Sequence, residues 1–379
     1  MTRTSIGKTI TLSFALFSMF FGAGNVVFPL AVGQVTGAYI YYALFGLFFT
    51  AVLVPFIGLH AATLLDGCHK SFFSPLGRYG GFLLAAAILC LLGPFGVIPR
   101  CIALSQETFH MYFPYGNALT FNIISCVLIL ILTLKKNRIV SLLGNLMTPI
   151  LIGVLYCIIF VGLFYVPDTA PLPAISAGKS FMLGLTEGYQ TMDLLAGLFF
   201  ASFITIWMRE HMPAQASPTE KKQWMKISAM SITIAAILIA SVYVGFGILA
   251  ARFTYALEGV PQAQLLGTIA GEVLGMNAGL IVCVAVCLAC LTTAISLAGI
   301  FAEFVRKDVA KNKISYEAAL VFTVVVTFGF SMLEFNGIVA FLQPILSVCY
   351  PGLILLTGYN LFRYYRKPKM SLTTQESVL

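Results

Sequence analysis

What this chain lacks is charge. Only 9% of its 379 residues are Asp, Glu, Lys or Arg, and 59% are hydrophobic, against roughly 25% charged residues in ordinary soluble domains. A soluble core cannot absorb that much apolar surface, so a water-soluble globule is excluded. Catalytic signatures are missing as well. There is no His-Glu-x-x-His and no Gly-x-Ser-x-Gly, and His60, His69, His110 and His211 lie near the ends of apolar stretches without ligand spacing. Both absences argue against an intramembrane enzyme. The net charge of +8 is scattered over short segments and forms no single basic face, which argues against nucleic acid as a partner. The nine cysteines fall almost entirely within apolar stretches, where such residues serve as small, polarizable packing groups. They imply no disulfide framework. Cys283, Cys287 and Cys290 share one helical face, for which helix packing is the default and a soft-metal site the alternative.

What the chain has is length in apolar runs. A spanning helix needs about 20 predominantly apolar residues, and stretches of that kind recur at 9–32, 36–65, 80–113, 117–134, 139–165, 182–208, 227–251, 265–304, 315–334 and 336–362. They read as an all-α polytopic membrane protein with about ten transmembrane helices. The stretches 80–113 and 265–304 exceed one crossing and each counts once, with steep tilt or a partly extramembrane turn. Arg3 and Lys8 precede the first apolar run, as in a signal peptide. That run is too long, has no clear small-residue cleavage site and leads straight into a second span, so it reads as structure. With the N-terminus in the cytoplasm, nineteen of the 22 Lys and Arg residues fall on the inside. Lys179 and Arg252 lie outside and Arg100 within a span, which satisfies the positive-inside rule and places both termini in the cytoplasm.

Two spans look interrupted. The first carries Gly22-Ala23-Gly24-Asn25 at mid-depth, shortly before Phe28-Pro29. Each helix-interior glycine costs about 1 kcal/mol relative to alanine, so either a small-residue helix contact or a functional break is expected. The sixth reads Glu187-Gly188-Tyr189-Gln190-Thr191-Met192-Asp193, a polar, acidic stretch of the kind that marks a substrate or ion path. Spans one and six are corresponding members of two five-span halves, and paired interruptions of this sort point to a transport site between discontinuous helices of an inverted repeat. The halves are read as 1–170 and 171–362, with a basic tail at 363–379. At such a break, N–H groups of Ala23, Gly24 and Asn25 face a carboxylate while nearby carbonyls face a cation. Gly22, Gly188, Tyr189, Thr191 and Asp193 complete the candidate substrate site. Span eight adds the hydroxyls of Thr292, Thr293 and Ser296, which either bond back to their own helix or serve an ion. Arg100 and Glu107 in span three lie seven residues apart on one face, too far along the axis to assume a direct bond, and read as an ion pair holding spans together, as a relay, or as groups in direct contact with substrate. Glu272, Glu303 and Glu334 lie near span ends and are expected to reach the interface.

These motifs have a family character. Phe20-Phe21-Gly22-Ala23-Gly24-Asn25-Val26-Val27-Phe28-Pro29, Gly93-Pro94 with Ile98-Pro99-Arg100, Gly144-Asn145-Leu146-Met147-Thr148-Pro149, Glu187 through Asp193, Cys290-Leu291-Thr292-Thr293-Ala294 and Tyr350-Pro351 resemble, in order, the signatures of the bacterial branched-chain amino acid:cation symporters. The resemblance covers nearly the whole chain. It implies sodium-coupled uptake of leucine, isoleucine and valine across the bacterial inner membrane, on the inverted-repeat fold of the sodium-coupled leucine transporters. It further implies that the backbone at Ala23 and Gly24 takes the substrate carboxylate. A Na⁺ site is implied for the hydroxyls of Thr292 and Thr293 and the carbonyls of Ser18, Phe21 and Ala289. No cofactor beyond the coupling ion is expected, and the partners are the amino acid, Na⁺ and lipid. The family usually has about twelve spans where ten are read here, and oligomeric contacts are the feature this difference touches. Other readings are an H⁺-coupled symporter using Asp193 or Glu107, a carrier of another small neutral amino acid, or a channel or receptor.

Overall fold

In lipid a backbone must satisfy its own hydrogen bonds, and apolar runs of this length can do so only as helices or closed barrels. The computed structural model describes residues 3–134, 143–165, 175–213, 217–275 and 279–366, with side chains from residue 6 onward and that of Gly144 left aside. Those residues are helical and contain no strand. Lys135, Lys136, Arg138, the boundary at 170/171 and the tail beyond Arg366 lie outside the described residues.

The helices run α1 (Arg3–Phe20), α2 (Ala23–Thr36), α3 (Ile40–Phe48), α4 (Val54–Leu64), α5 (His69–Phe73), α6 (Gly77–Leu92), α7 (Val97–Tyr112), α8 (Ala118–Thr133), α9 (Thr148–Phe164), α10 (Ala177–Gln190), α11 (Asp193–His211), α12 (Pro218–Arg252), α13 (Leu265–Leu274), α14 (Gly279–Phe304), α15 (Tyr316–Ser331) and α16 (Phe335–Arg366). Capping follows the sequence: Ser217 and Glu220 bond each other's backbone N–H at the start of α12, a capping box. Among the described residues, six helical stretches are long and apolar enough to cross a membrane, and α10 with α11, bent by 41°, makes a seventh. Ile6–Phe20, Ala118–Thr133 and Tyr316–Ser331 are shorter apolar helices. This differs from the ten stretches counted by hydropathy because helix boundaries and crossings do not coincide. Ala23–Leu64, at 42 residues, would extend roughly 63 Å if straight, about twice the hydrocarbon core, and it turns at Gly37–Tyr39.

The two longest expected spans have separate explanations. The 265–304 stretch is a short helix, α13, and a longer one, α14, so no single helix runs its length. The 80–113 stretch is broken in the middle, at Gly93–Gly96 between α6 and α7, where tilt was the other expectation. Pro94 cannot donate a helical hydrogen bond, and the flanking glycines permit the kink.

Polarity is inverted relative to a soluble protein. Phe45, Phe160, Val348 and Leu355 are exposed, while Arg100, Ser296, Thr292 and Asp193 are buried. A surface so extensively apolar is one that meets lipid.

Helix packing shows the repeat directly. Both α1 and α2 pack along α12, and correspondingly α10 and α11 pack along α3 and α4. The broken helix of each half thus lies along the second span of the other. The contact of α7 with α14, and that of α8 with α15, each map onto themselves. Likewise α9 flanks α1 and α12 as α16 flanks α10 and α4. A shift of five spans carries this set of contacts into itself, as an inverted five-plus-five repeat requires.

Candidate functional site

The first break is built by a backbone turn. Phe21 N–H still bonds the carbonyl of Phe17 at 2.8 Å, but Gly22 is extended (φ −118°, ψ −157°) and α2 restarts at Ala23. Asn25 stabilises that restart by accepting from Gly22 N–H at 3.1 Å. The second break falls after Gln190, where Met192 takes the left-handed conformation (φ 62°), a geometry that costs a non-glycine residue about 1–2 kcal/mol. Thr191 Oγ1 donates to the carbonyl of Gly188 at 2.9 Å, and α11 starts at Asp193 with Leu194 N–H donating to Tyr350 Oη at 3.1 Å.

The breaks are joined to each other. Asn25 Nδ2 donates to Asp193 Oδ2 at 2.8 Å and also to Tyr243 Oη, while the Tyr243 hydroxyl donates to the same carboxylate oxygen at 2.9 Å. Three helices, α2, α11 and α12, therefore meet on one buried carboxylate. From α7, Arg100 reaches the end of α10 and donates to the Gln190 carbonyl at 2.8 Å. Its guanidinium lies over the Phe28 ring at 5.5 Å.

Between the breaks lies a small cavity of about 10 Å³ lined by buried residues, the space of about one water-sized sphere. Gly22, Ala23, Gly24, Asn25, Thr191 and Asp193 line it, with Arg100 and Thr293. Its apolar wall is Met19, Phe20, Leu92, Val97, Met192, Ala196 and Leu297. Chemically this is a small compartment with one cationic side chain, one carboxylate, two helix termini and an aliphatic surround. An amino acid enters it only if the helices part.

The remaining expected site residues fall in three places. Gly188 and Tyr189 do not line the cavity. A Cβ on Gly188 would meet Thr50, whose hydroxyl donates to the Leu185 carbonyl at 3.0 Å, and Tyr189 stacks on Tyr350 at 4.6 Å. Thr293 Oγ1 donates to the Ser18 carbonyl at 3.3 Å and stands beside Gly22, so span eight does meet the first break. Thr292 Oγ1 donates to the Ala289 carbonyl at 3.0 Å within its own helix. Phe21 is buried at the break itself. Arg100 and Glu107 are not brought together: Arg100 caps α10, whereas Glu107 accepts from Phe335 N–H at 3.0 Å, at the start of α16. Each found a partner on a different helix. Sequence reasoning passed over Tyr243, a lone hydroxyl in an apolar span, and Tyr350, noticed only within a motif. Cys283 Sγ donates to the Thr108 carbonyl at 3.7 Å, a contact between α14 and α7.

A second cavity of about 380 Å³ lies one helical turn away along three of the same helices. Leu92, Ala196 and Leu297 face the central compartment, and Leu89, Phe199 and Ile300, on the same helices, face the second. Its lining also includes Cys68, Arg209, Glu303, Lys307 and Asp308. There Asp308 holds Lys70 at 2.6 Å and His69 at 3.5 Å, while Glu303 holds Lys307 at 2.8 Å and Arg306 at 3.1 Å.

Residues 5–378 match the profile of a family described as branched-chain amino acid transport protein. Among relatives, the branched-chain amino acid permease BraB of Bacillus subtilis is 28% identical over 365 residues, covering 93% of this chain and 79% of the permease. The branched-chain amino acid transport system 2 carrier protein of Pseudomonas aeruginosa is 28% identical over 378 residues, covering 96% and 82%. Two solved structures share the fold. Mhp1, a nucleobase-cation-symport-1 family transporter in a closed conformation with bromovinylhydantoin bound, aligns with TM-score 0.61 at 14% identity over 94% of this chain and 79% of its own. MhsT in complex with L-phenylalanine aligns with TM-score 0.60 at 16% identity, over 92% and 87%.

Proposed function

The chain belongs to the branched-chain amino acid transport protein family, and from that premise we propose that it is a secondary active symporter that couples inward Na⁺ movement to uptake of leucine, isoleucine and valine by alternating access. Its place would be the bacterial inner membrane, with both termini cytoplasmic, as the distribution of basic residues favours. The observation that carries this reading is the small buried cavity between the breaks, whose lining combines Arg100, Asp193 and the two helix breaks with apolar side chains such as Leu92, Val97 and Leu297. A branched-chain amino acid carries an ammonium and a carboxylate on one carbon and an aliphatic group beyond it, and the lining offers a charged or polar partner for the first two and apolar surface for the third. Gly22, Ala23, Gly24, Asn25, Thr191 and Asp193 are the candidate substrate contacts. Gly188 and Tyr189 would act one layer out, through Thr50 and Tyr350.

For the ion, the candidate donors are the hydroxyls of Thr292 and Thr293 and the carbonyls of Ser18, Phe21 and Ala289. All are oxygens, as a hard cation prefers, and Thr293 already bridges α14 to Ser18. A second reading, H⁺ coupling, is favoured by one observation: Asp193 is a buried carboxylate on the cavity wall. Purified protein in liposomes tests both. Uptake of labelled leucine driven by an inward Na⁺ gradient at equal pH is the expected result. Uptake driven only by a pH gradient would replace Na⁺ with H⁺, and no saturable leucine uptake under either gradient would reject the proposal.

A further inference from the structure

Arg100 is the largest fully buried side chain among the described residues, with 0% of its surface exposed. A guanidinium offers five N–H donors and accepts nothing. Here Nη1 donates to the Gln190 carbonyl, and Nε has no hydrogen-bond partner. None of the ion pairs among the described residues includes Arg100. The Phe28 ring face compensates part of the charge. A buried arginine held by one carbonyl and one ring is costly in a membrane protein, and such residues mark function by default.

Its position gives the function a chemical identity. Arg100 lines the central cavity, and its Nη2 lies 2.8 Å from the point a Cβ on Gly24 would occupy. The guanidinium and the N-terminus of α2 therefore share one pole of the compartment, where helix N–H groups favour an anion. The other charged side chain on that wall is Asp193, held by Asn25 and Tyr243.

We propose that Arg100 is the residue that binds the substrate's carboxylate, with Asp193 facing its ammonium group, so that the site accepts zwitterionic α-amino acids and rejects amides, esters and amines that lack the carboxylate. This rests on the amino acid reading above and adds to it the group that reads the carboxylate. A carboxylate in this pole takes the free Nε–H and a second guanidinium donor in the two-pronged geometry that arginine provides. A ligand without the carboxylate leaves Arg100 as it is and puts its own cation in the same compartment. The alternative role is purely structural, a tie from α7 to the end of α10 through Gln190.

The test compares leucine with leucinamide, which keeps the side chain and amine and lacks the carboxylate. Binding of labelled leucine to purified wild type, R100Q and R100K is measured in Na⁺ buffer, with leucinamide as competitor and thermal stability recorded in parallel. Glutamine keeps a donor for the Gln190 carbonyl and removes the charge. Wild type is expected to prefer leucine by about 100-fold, as for a buried charge pair. In R100Q leucine weakens by about that factor while leucinamide does not, so the preference collapses. R100K, with charge but no fork, falls between, and it carries the same comparison if R100Q does not fold. A preference unchanged in the variants, with both ligands weakened in parallel, overturns the assignment and leaves Arg100 structural. Wild type that binds neither compound overturns the amino acid reading together with this one.

Discussion

A Cβ on Gly22 would meet the Thr293 side chain at 2.8 Å from Oγ1 and 3.0 Å from Cβ, and a Cβ on Gly24 would meet Arg100 Nη2 at 2.8 Å and the Thr191 Cα at 3.0 Å. Each glycine is therefore the point where another helix comes closer than any side chain permits. The first admits the hydroxyl helix α14, the second admits Arg100 and the end of α10. Gly24→Val is accordingly expected to abolish leucine binding and also to cost about 1–3 kcal/mol of stability, the usual range for overpacking. Thermal stability and leucine affinity measured on one preparation decide the matter. Lost stability with normal affinity in the folded fraction would remove Gly24 from the site. Thr293 bridges to Ser18 whereas Thr292 bonds within its helix, so Thr293→Ala should raise the Na⁺ concentration for half-maximal uptake more than Thr292→Ala does. Loss of one oxygen ligand is expected to shift it by about tenfold, equivalent to about 1.4 kcal/mol. If neither variant shifts it while uptake persists, the ion site is elsewhere.

Three helices are interrupted around the cavity: at Phe21–Gly22, at Thr191–Met192 and at Gly93–Gly96. The first two are joined by side chains, Asn25 and Tyr243 on Asp193, in place of the backbone bonds the breaks forgo. Tyr243→Phe preserves ring volume and deletes one donor and one acceptor from that joint. It is expected to lower stability by about 1–3 kcal/mol, the cost of leaving buried polar partners unmet, and to slow leucine uptake. Normal melting and normal uptake in this variant would show that the joint contributes nothing. The two paired breaks were legible in the sequence because glycine, asparagine and a carboxylate are conspicuous in apolar helices. Their partners were not. Tyr243 in an apolar span has the same local sequence whether its hydroxyl faces lipid or Asp193, and only packing of α12 on α2 decides. Arg100 and Glu107 shared a helical face, yet seven residues span roughly 10 Å of helix, and each bonds to a different neighbour. Gly188 and Tyr189 lay in the polar stretch but turn toward Thr50 and Tyr350. Polarity locates a break along the chain; it does not say which side of the helix meets the substrate.

At the scale of the whole molecule, the central compartment has room for about one water, and a larger cavity of about 380 Å³ is lined by Arg209, Lys307 and Asp308, the last paired with Lys70. One turn of α6, α11 and α14 separates the two, with Leu89, Phe199 and Ile300 on the far side. If alternating access runs through this path, these three helices part by that layer when substrate leaves toward the basic end. Cys68 lies in the wall of the larger cavity, while Cys101, Cys126, Cys283 and Cys290 are buried. It is thus a native reporter of the path. In a variant that keeps Cys68 as its sole cysteine, a membrane-impermeant maleimide is expected to label inside-out vesicles and to leave right-side-out vesicles unlabelled, because the proposed orientation puts the basic end in the cytoplasm. External leucine with Na⁺ should change the labelling rate, since a ligand that binds one state better shifts the population toward it. Asp308→Asn should change it as well, because Asp308 ties His69 and Lys70 of α5 to the segment following α14. Equal labelling from both sides would refute the orientation. Labelling that ignores leucine, Na⁺ and the Asp308 substitution would show that this cavity is no part of the transport path.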